Sequence, residues 1–121
     1  MDSAWNFKER VTDRVTFVVR DSSGAAIPQA SLTTITLTLY DKLTDGIINS
    51  RNDQNVNNAN QVTIGADGTL VWDTVAADNA IINPNLAVEE HVALFEWTYS
   101  AGAKAGKHEA IIRVVNLGQV S

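Results

Sequence analysis

The stretch Leu32-Thr33-Thr34-Ile35-Thr36-Leu37-Thr38-Leu39-Tyr40 decides the fold. Ile35, Leu37 and Leu39 share one side and Thr34, Thr36 and Thr38 the other, the period of a strand with one buried face. A helix would scatter the same residues around its circumference. Upstream, Val15-Thr16-Phe17-Val18-Val19 mixes β-branched and aromatic residues and stops at Asp21-Ser22-Ser23-Gly24, whose short polar side chains and glycine supply a turn. Downstream, residues 41–46 form another turn, and Ile47-Ile48 begin a short strand.

Residues 49–61 hold six Asn and two Gln around one Val. That is too little apolar surface to offset the entropy of ordering a backbone, so a long loop or exposed flap is expected. Val62-Thr63-Ile64, the turn Gly65-Ala66-Asp67-Gly68 and Thr69-Leu70-Val71-Trp72 read as a hairpin, because Asp-Gly tolerates the positive φ of a tight reversal. Asp73 or Thr74 is placed to cap a short helical piece over 76–82, which must end before Pro84.

The last third reads as a second hairpin. In His91-Val92-Ala93-Leu94-Phe95-Glu96-Trp97-Thr98-Tyr99 the residues Ala93, Phe95, Trp97 and Tyr99 share a face; residues 102–106 turn the chain, and Ala110, Ile112 and Val114 share a face of the return. A turn centred near Ala103 pairs residues whose numbers sum to about 205, which sets Glu96 against Glu109, an unfavourable like-charge pair unless the register differs slightly. About seven strands spaced by roughly 8–12 residues, with little helix, are the pattern of an all-β, antiparallel, immunoglobulin-like sandwich with one short helical piece. A small barrel is the rival arrangement, since strand number alone does not separate the two.

At 121 residues and 13.1 kDa, with 45% hydrophobic residues, the chain is the size of one core. We expect an N-terminal arm over residues 1–12 and a single sandwich domain over 13–121. Nine basic against fourteen acidic residues, a net charge of -5, argue against phosphate neutralisation and hence against a nucleic-acid partner. The absence of cysteine excludes thiol nucleophiles, disulfides and Cys-ligated metals. No run approaches the roughly 18 apolar residues of a membrane span, and the first residues lack the pattern of a signal peptide.

Chemistry-bearing residues are few. The expected register separates His91 from His108 by roughly 20 Å, too far to share a metal. Glu89-Glu90-His91 reads as a solvated strand entry, because adjacent strand residues point to opposite faces. The acidic turns at 41–45 and at Asp67 lack EF-hand spacing, and no nucleophile elbow, phosphate loop or His-Glu-x-x-His motif is present. The expectation is a non-enzymatic protein with no cofactor and no metal. Trp72 and Trp97 read as core residues. Trp5 and Phe7 lie in a polar N-terminal segment. The first 20 residues carry four basic and three acidic groups, against five and eleven in the remainder. This segment has two readings of equal weight, an arm reaching a neighbouring subunit and an edge strand covering its own core. The amides of Asn52, Asn55, Asn57 and Asn58 suit polar contacts with a neighbour, and a merely solvated loop is the alternative. Trp5, Phe7, Asn52, Asn55, Asn57 and Asn58 are therefore the candidate subunit-contact residues.

The run Val15-Thr16-Phe17-Val18-Val19-Arg20-Asp21-Ser22-Ser23-Gly24, residues 32–40, Asp67-Gly68-Thr69-Leu70-Val71-Trp72, and the closing hairpin with Phe95-Glu96-Trp97-Thr98-Tyr99 and Lys107-His108-Glu109 resemble small β-sandwich virion proteins of tailed bacteriophages. These include capsid decoration (cement) proteins and sandwich modules of tails and baseplates. The likeness spans most of residues 13–117 and is one of strand and turn style. It implies a structural protein of the virion, assembled in the bacterial host cytoplasm, that bridges neighbouring capsid subunits. Its implied partners are the major capsid protein or another virion protein and further copies of itself, with a trimer as the leading assembly. No nucleic acid or membrane is implied. A tail, neck or baseplate module uses the same physics. A glycan-binding adhesion module is the other alternative and requires Trp72, Trp97 or Tyr99 to be exposed.

Overall fold

The computed structural model describes residues 2–8, 11–83 and 85–116 and, within 2–8, only the side chain of Phe7. Eight strands follow in chain order: β1 (Asp2–Lys8), β2 (Arg14–Val18), β3 (Leu32–Asp41), β4 (Gln54–Asn55), β5 (Val62–Ile64), β6 (Thr69–Asp73), β7 (Val88–Tyr99) and β8 (Lys104–Val115). They form two sheets, ordered β1-β8-β7-β3-β4 and β2-β6-β5. In immunoglobulin nomenclature β2-β6-β5 is the B-E-D sheet and β8-β7-β3-β4 is G-F-C-C′. The all-β sandwich is thus the fold, and the two sheets do not close into a barrel.

The inward faces follow the period-two pattern. Ile35, Leu37 and Leu39 of β3, Ala93, Phe95, Trp97 and Tyr99 of β7, and Ala110, Ile112 and Val114 of β8 are buried against Val15, Leu70 and Trp72 of the smaller sheet. Rings bridge the layers. Phe17 meets Phe95 edge-on with centroids 5.1 Å apart and stacks on His108 at 4.1 Å, while Trp72 meets Phe95 at 5.8 Å. Such aromatic pairs contribute about 0.5–1.5 kcal/mol each beyond the area they bury. Phe17 and Phe95 lie on the B and F strands, which a disulfide joins in antibody domains.

The N-terminal segment departs from the arm that was one of its two readings. Residues 2–8 are strand β1, paired in parallel with β8 from Asp2 opposite Glu109 to Lys8 opposite Val115; every other strand pairing is antiparallel. The outer edge of β8 offers unpaired main-chain donors and acceptors, and covering them while burying Phe7 satisfies both.

The final hairpin is tighter than expected. Tyr99 faces Lys104, and the chain reverses over residues 100–103, with Ser100, Ala101 and Gly102 all at positive φ. The shift sets Glu96 against Lys107 and Leu94 against Glu109. The like-charge pair is thereby absent, and Ala101 takes a left-handed conformation in the turn. The same register lays Trp97 across Gly106. A Cβ at Gly106 would stand 2.6 Å from the indole nitrogen and 2.8 Å from Cε2, so only glycine admits this ring. The helical piece is a single 3-10 turn over Ala76–Asn79, and neither Asp73 nor Thr74 caps it. Asp78 instead accepts the N–H of Val75 at 2.9 Å.

Asp21 organises the turn after β2. Its Oδ1 accepts the Ser23 hydroxyl at 2.6 Å and the N–H groups of Ser23 and Ala25 at 2.9 and 3.0 Å. These bonds, the Ser23 hydroxyl foremost and the Ala25 N–H next, hold the carboxyl below its ordinary value.

Two outcomes follow for stability. Gly106→Ala should destabilise by about 1–3 kcal/mol in urea and shift the tryptophan emission, because the ring must move. The lowered Asp21 value means its contribution is complete above the unfolded carboxylate range and is lost as pH falls through the folded value. The stability gap between the wild type and Asp21→Asn, followed by urea denaturation across a pH series, should therefore be largest near neutrality and close in acid.

Candidate functional site

The sequence-predicted contact loop is a folded part of the sandwich. Arg51, 1% exposed, passes beneath it and makes two bonds to Asp78, Nε to Oδ1 at 2.6 Å and Nη2 to Oδ2 at 3.1 Å. Its remaining donors reach Gln54 Oε1 at 2.6 Å, Gln61 Oε1 at 2.8 Å and the Asn60 carbonyl at 3.2 Å, and the guanidinium lies over Trp72, 5.5 Å from the ring centroid. Asp78 also accepts from Asn49 Nδ2 at 2.8 Å. A buried guanidinium is tolerable only with such complete pairing. Together with buried Ile48 and Val56 it makes 49–61 an ordered segment and not the exposed flap the composition suggests.

The asparagines have conformational work to do in this loop. Asn49, Ser50, Asp53, Asn58, Asn60 and Gln61 all sit at positive φ, between 48° and 71°, where Asn is less strained than most side chains. Asn57 Oδ1 accepts from Gln29, Asn58 Oδ1 accepts the N–H of Ile64 at 2.6 Å, and Asn55 Oδ1 accepts the N–H of Asn57. These acceptors are engaged within the chain. Of the six candidate contacts, Asn52, Asn55 and Asn58 are exposed, Asn57 is half-buried, Phe7 is inside the core, and the Trp5 side chain lies outside the described residues. They do not form one surface patch, since Phe7 faces inward on the opposite edge of the larger sheet from this loop. Trp72, Trp97 and Tyr99 are all buried, which removes the aromatic platform the glycan-binding reading requires.

A second polar cluster, at the end of β3 and the start of β7, corrects the sequence reading of Glu89-Glu90-His91 as solvated. Glu89 and His91 are two residues apart, so they share the inward face of β7 that continues through Ala93 and Phe95. Asp41 likewise extends the Ile35, Leu37, Leu39 face of β3 and is the direct cross-strand partner of His91. Asp41 and Glu89 are 1% exposed and His91 is closed off entirely. Glu89 accepts the N–H of Ile82 at 2.8 Å and that of Asn83 at 2.6 Å, and its Oε1 lies 2.5 Å from His91 Nε2. Asp41 Oδ2 accepts the Thr44 hydroxyl at 2.8 Å and the Thr44 N–H at 3.2 Å. His108 lies opposite Phe95, whereas His91 lies opposite Ile112. Four residues of β8 thus separate the two histidines, about 13 Å along the strand.

Apolar side chains surround this end. Leu43 is 71% exposed, and Ile47, Ile82 and Val88 are each more than two-fifths exposed. Leu43, Leu86 and Val88 line a shallow pocket with Asp41, Glu89 and Glu90. Lys42 pairs with Glu90 at 4.0 Å on the pocket's charged side. An exposed apolar knob at Leu43 thus stands beside a small charged margin. Period-two counting outward from Leu39 and Phe95 could have found the buried Asp41, Glu89 and His91. The pairing of Arg51 with Asp78 has no signal in the sequence.

Comparison of the chain with protein families, curated proteins and solved structures finds no match.

Asp78→Asn leaves the Arg51 charge buried without its partner and should cost about 3–5 kcal/mol in urea denaturation. Asn52→Ala, on the exposed side of the same loop, should change stability by less than about 0.5 kcal/mol.

Proposed function

We infer that this chain is a non-catalytic structural module of a tailed-phage virion, a capsid decoration protein that binds a neighbouring shell protein through the end of the sandwich carrying Leu43, Ile82 and Val88. The observation that carries the reading is Leu43, 71% exposed among other half-exposed apolar residues. A large side chain held in water has its hydrophobic free energy still available for a partner. The virion assignment itself rests on the likeness of strands and turns to phage sandwich proteins.

The physical demands of that role are consistent with the molecule. A shell-stabilising domain acts by burying area across many repeated contacts, each of which binds assembled shell better than free subunit. A body with net charge -5 limits capture of stray nucleic acid. The exposed face of the loop over 49–61 is a second, polar surface for a further copy of the chain, consistent with a trimeric knob.

Immunogold microscopy of particles from a source lysate, with antibody raised to the purified domain, should place gold over the heads. Gold confined to tails or necks would move the partner and retain the structural role; unlabelled particles would reject the virion reading. In co-sedimentation with assembled particles, Leu43→Asp should weaken binding at least about tenfold, one hot-spot residue's worth, while leaving the melting temperature unchanged.

A further inference from the structure

We propose that a divalent transition-metal cation of the zinc type binds between β3 and β7, held by Asp41 and His91 and positioned by Glu89. The three residues each bring a ligand-capable atom to within 4.8 Å of the others. Proximity of acids and a histidine is common without an ion; what distinguishes this group is the hydrogen-bonding capacity its atoms have left over. Glu89 is satisfied by two main-chain N–H groups and by His91 Nε2. Asp41 Oδ2 is satisfied by Thr44. Two deeply buried atoms, Asp41 Oδ1 and His91 Nδ1, have no hydrogen-bond partner among the described residues.

These two orphans belong to residues that face each other directly across the β3–β7 ladder. With the Nε2 proton donated to the Glu89 carboxylate, Nδ1 carries a lone pair. Both orphans are then acceptors, and neither satisfies the other. A cation satisfies both at once. Glu89 fills the role a metal-bound histidine needs, a carboxylate that accepts the far ring proton and fixes the tautomer. One imidazole with carboxylate oxygen is a donor set that suits Zn2+ and its first-row neighbours, whereas Mg2+ and Ca2+ call for oxygen alone.

The contrast with the other buried ionic group sharpens the point. Asp78 has both oxygens bonded and faces a guanidinium, so nothing is left for a ligand. Among the described residues no side-chain cation is paired with Asp41, and Lys42 beside it pairs with Glu90. A shallow pocket lined by Asp41, Leu86, Val88 and Glu89 opens beside the two carboxylates, with His91 closed off behind them. The site is a structural clasp joining β3 to β7 beneath the apolar end, and its existence does not depend on the virion reading.

The test uses the full chain without an affinity tag, stripped by chelator and titrated with ZnCl2 by calorimetry and with CoCl2 by visible absorption. The expected results are one Zn2+ per chain, a raised melting temperature, and Co2+ d–d bands of a low-coordinate nitrogen and oxygen site. Asp41→Asn, which keeps the side-chain shape, and His91→Gln should abolish stoichiometric binding, and Glu89→Gln should weaken it roughly 10- to 100-fold. His108→Gln should leave it unchanged. Because a variant at His91 risks unfolding, nitrogen-15 NMR of the wild-type imidazoles provides an independent readout, with Zn2+ shifting His91 Nδ1 and not His108. No stoichiometric uptake of either ion, or uptake that survives Asp41→Asn with its affinity intact, would overturn the proposal.

Discussion

The meeting of aromatic rings across the two sheets is the contact on which the rest of this structure depends. A sandwich without cysteine has no covalent tie between its layers, so the layers are joined only by what their inward side chains bury. Phe17 from the smaller sheet meets Phe95 from the larger one, and Trp72 closes on Phe95 from the side. Their edge-on geometry fills the space between the sheets and sets the orientation of β2 and β6 over β7. Trp97 extends the cluster toward the final hairpin, where Gly106 gives its ring a bare stretch of backbone to lie on.

Around this apolar centre the chain buries two ionic groups in opposite ways. Arg51 and Asp78 face each other with the rest of their hydrogen-bonding capacity taken up by amides and carbonyls from 49–61 and from the corner after β6. A buried pair of this kind adds little net stability compared with apolar residues, but it penalises every arrangement that separates its members. It therefore acts as a latch, fixing the path of a polar segment that has little else to bury. The Asp41, Glu89 and His91 group has two buried polar atoms, Asp41 Oδ1 and His91 Nδ1, without a hydrogen-bond partner among the described residues. The first group is complete within the chain, and the second is the one the proposed cation would complete.

The chemistry and the exposed apolar surface meet at one end of the sandwich. Glu89 anchors the main chain at Ile82 and Asn83, and Asp41 anchors the turn at Thr44, so the buried group positions the segments that carry Ile82 and Leu43. The opposite end, with the tight reversal over 100–103, offers no comparable apolar surface among the described residues.

Strand alternation is written in neighbouring residues, and so the all-β class, the core faces of β3, β7 and β8 and the hairpin at Gly65-Ala66-Asp67-Gly68 are all legible from the sequence by itself. The same alternation, carried two residues past Leu39 and two steps before Ala93, contains Asp41, His91 and Glu89; their charge argues for solvent and hides the pattern. What only the tertiary structure decided depends on partners distant in the chain. The loop over 49–61 looks solvated because its composition has nothing to bury, yet Asp78 supplies a counter-charge for Arg51 from beyond β6. Residues 2–8 read equally as an arm or an edge strand because the edge they cover is more than a hundred residues away, on β8. The hairpin register removes a like-charge pair and places Ala101 in a left-handed conformation, two local terms that the sequence alone does not rank. Periodicity is a local property of the chain, whereas the satisfaction of buried charge and of an open sheet edge is settled only when remote segments meet.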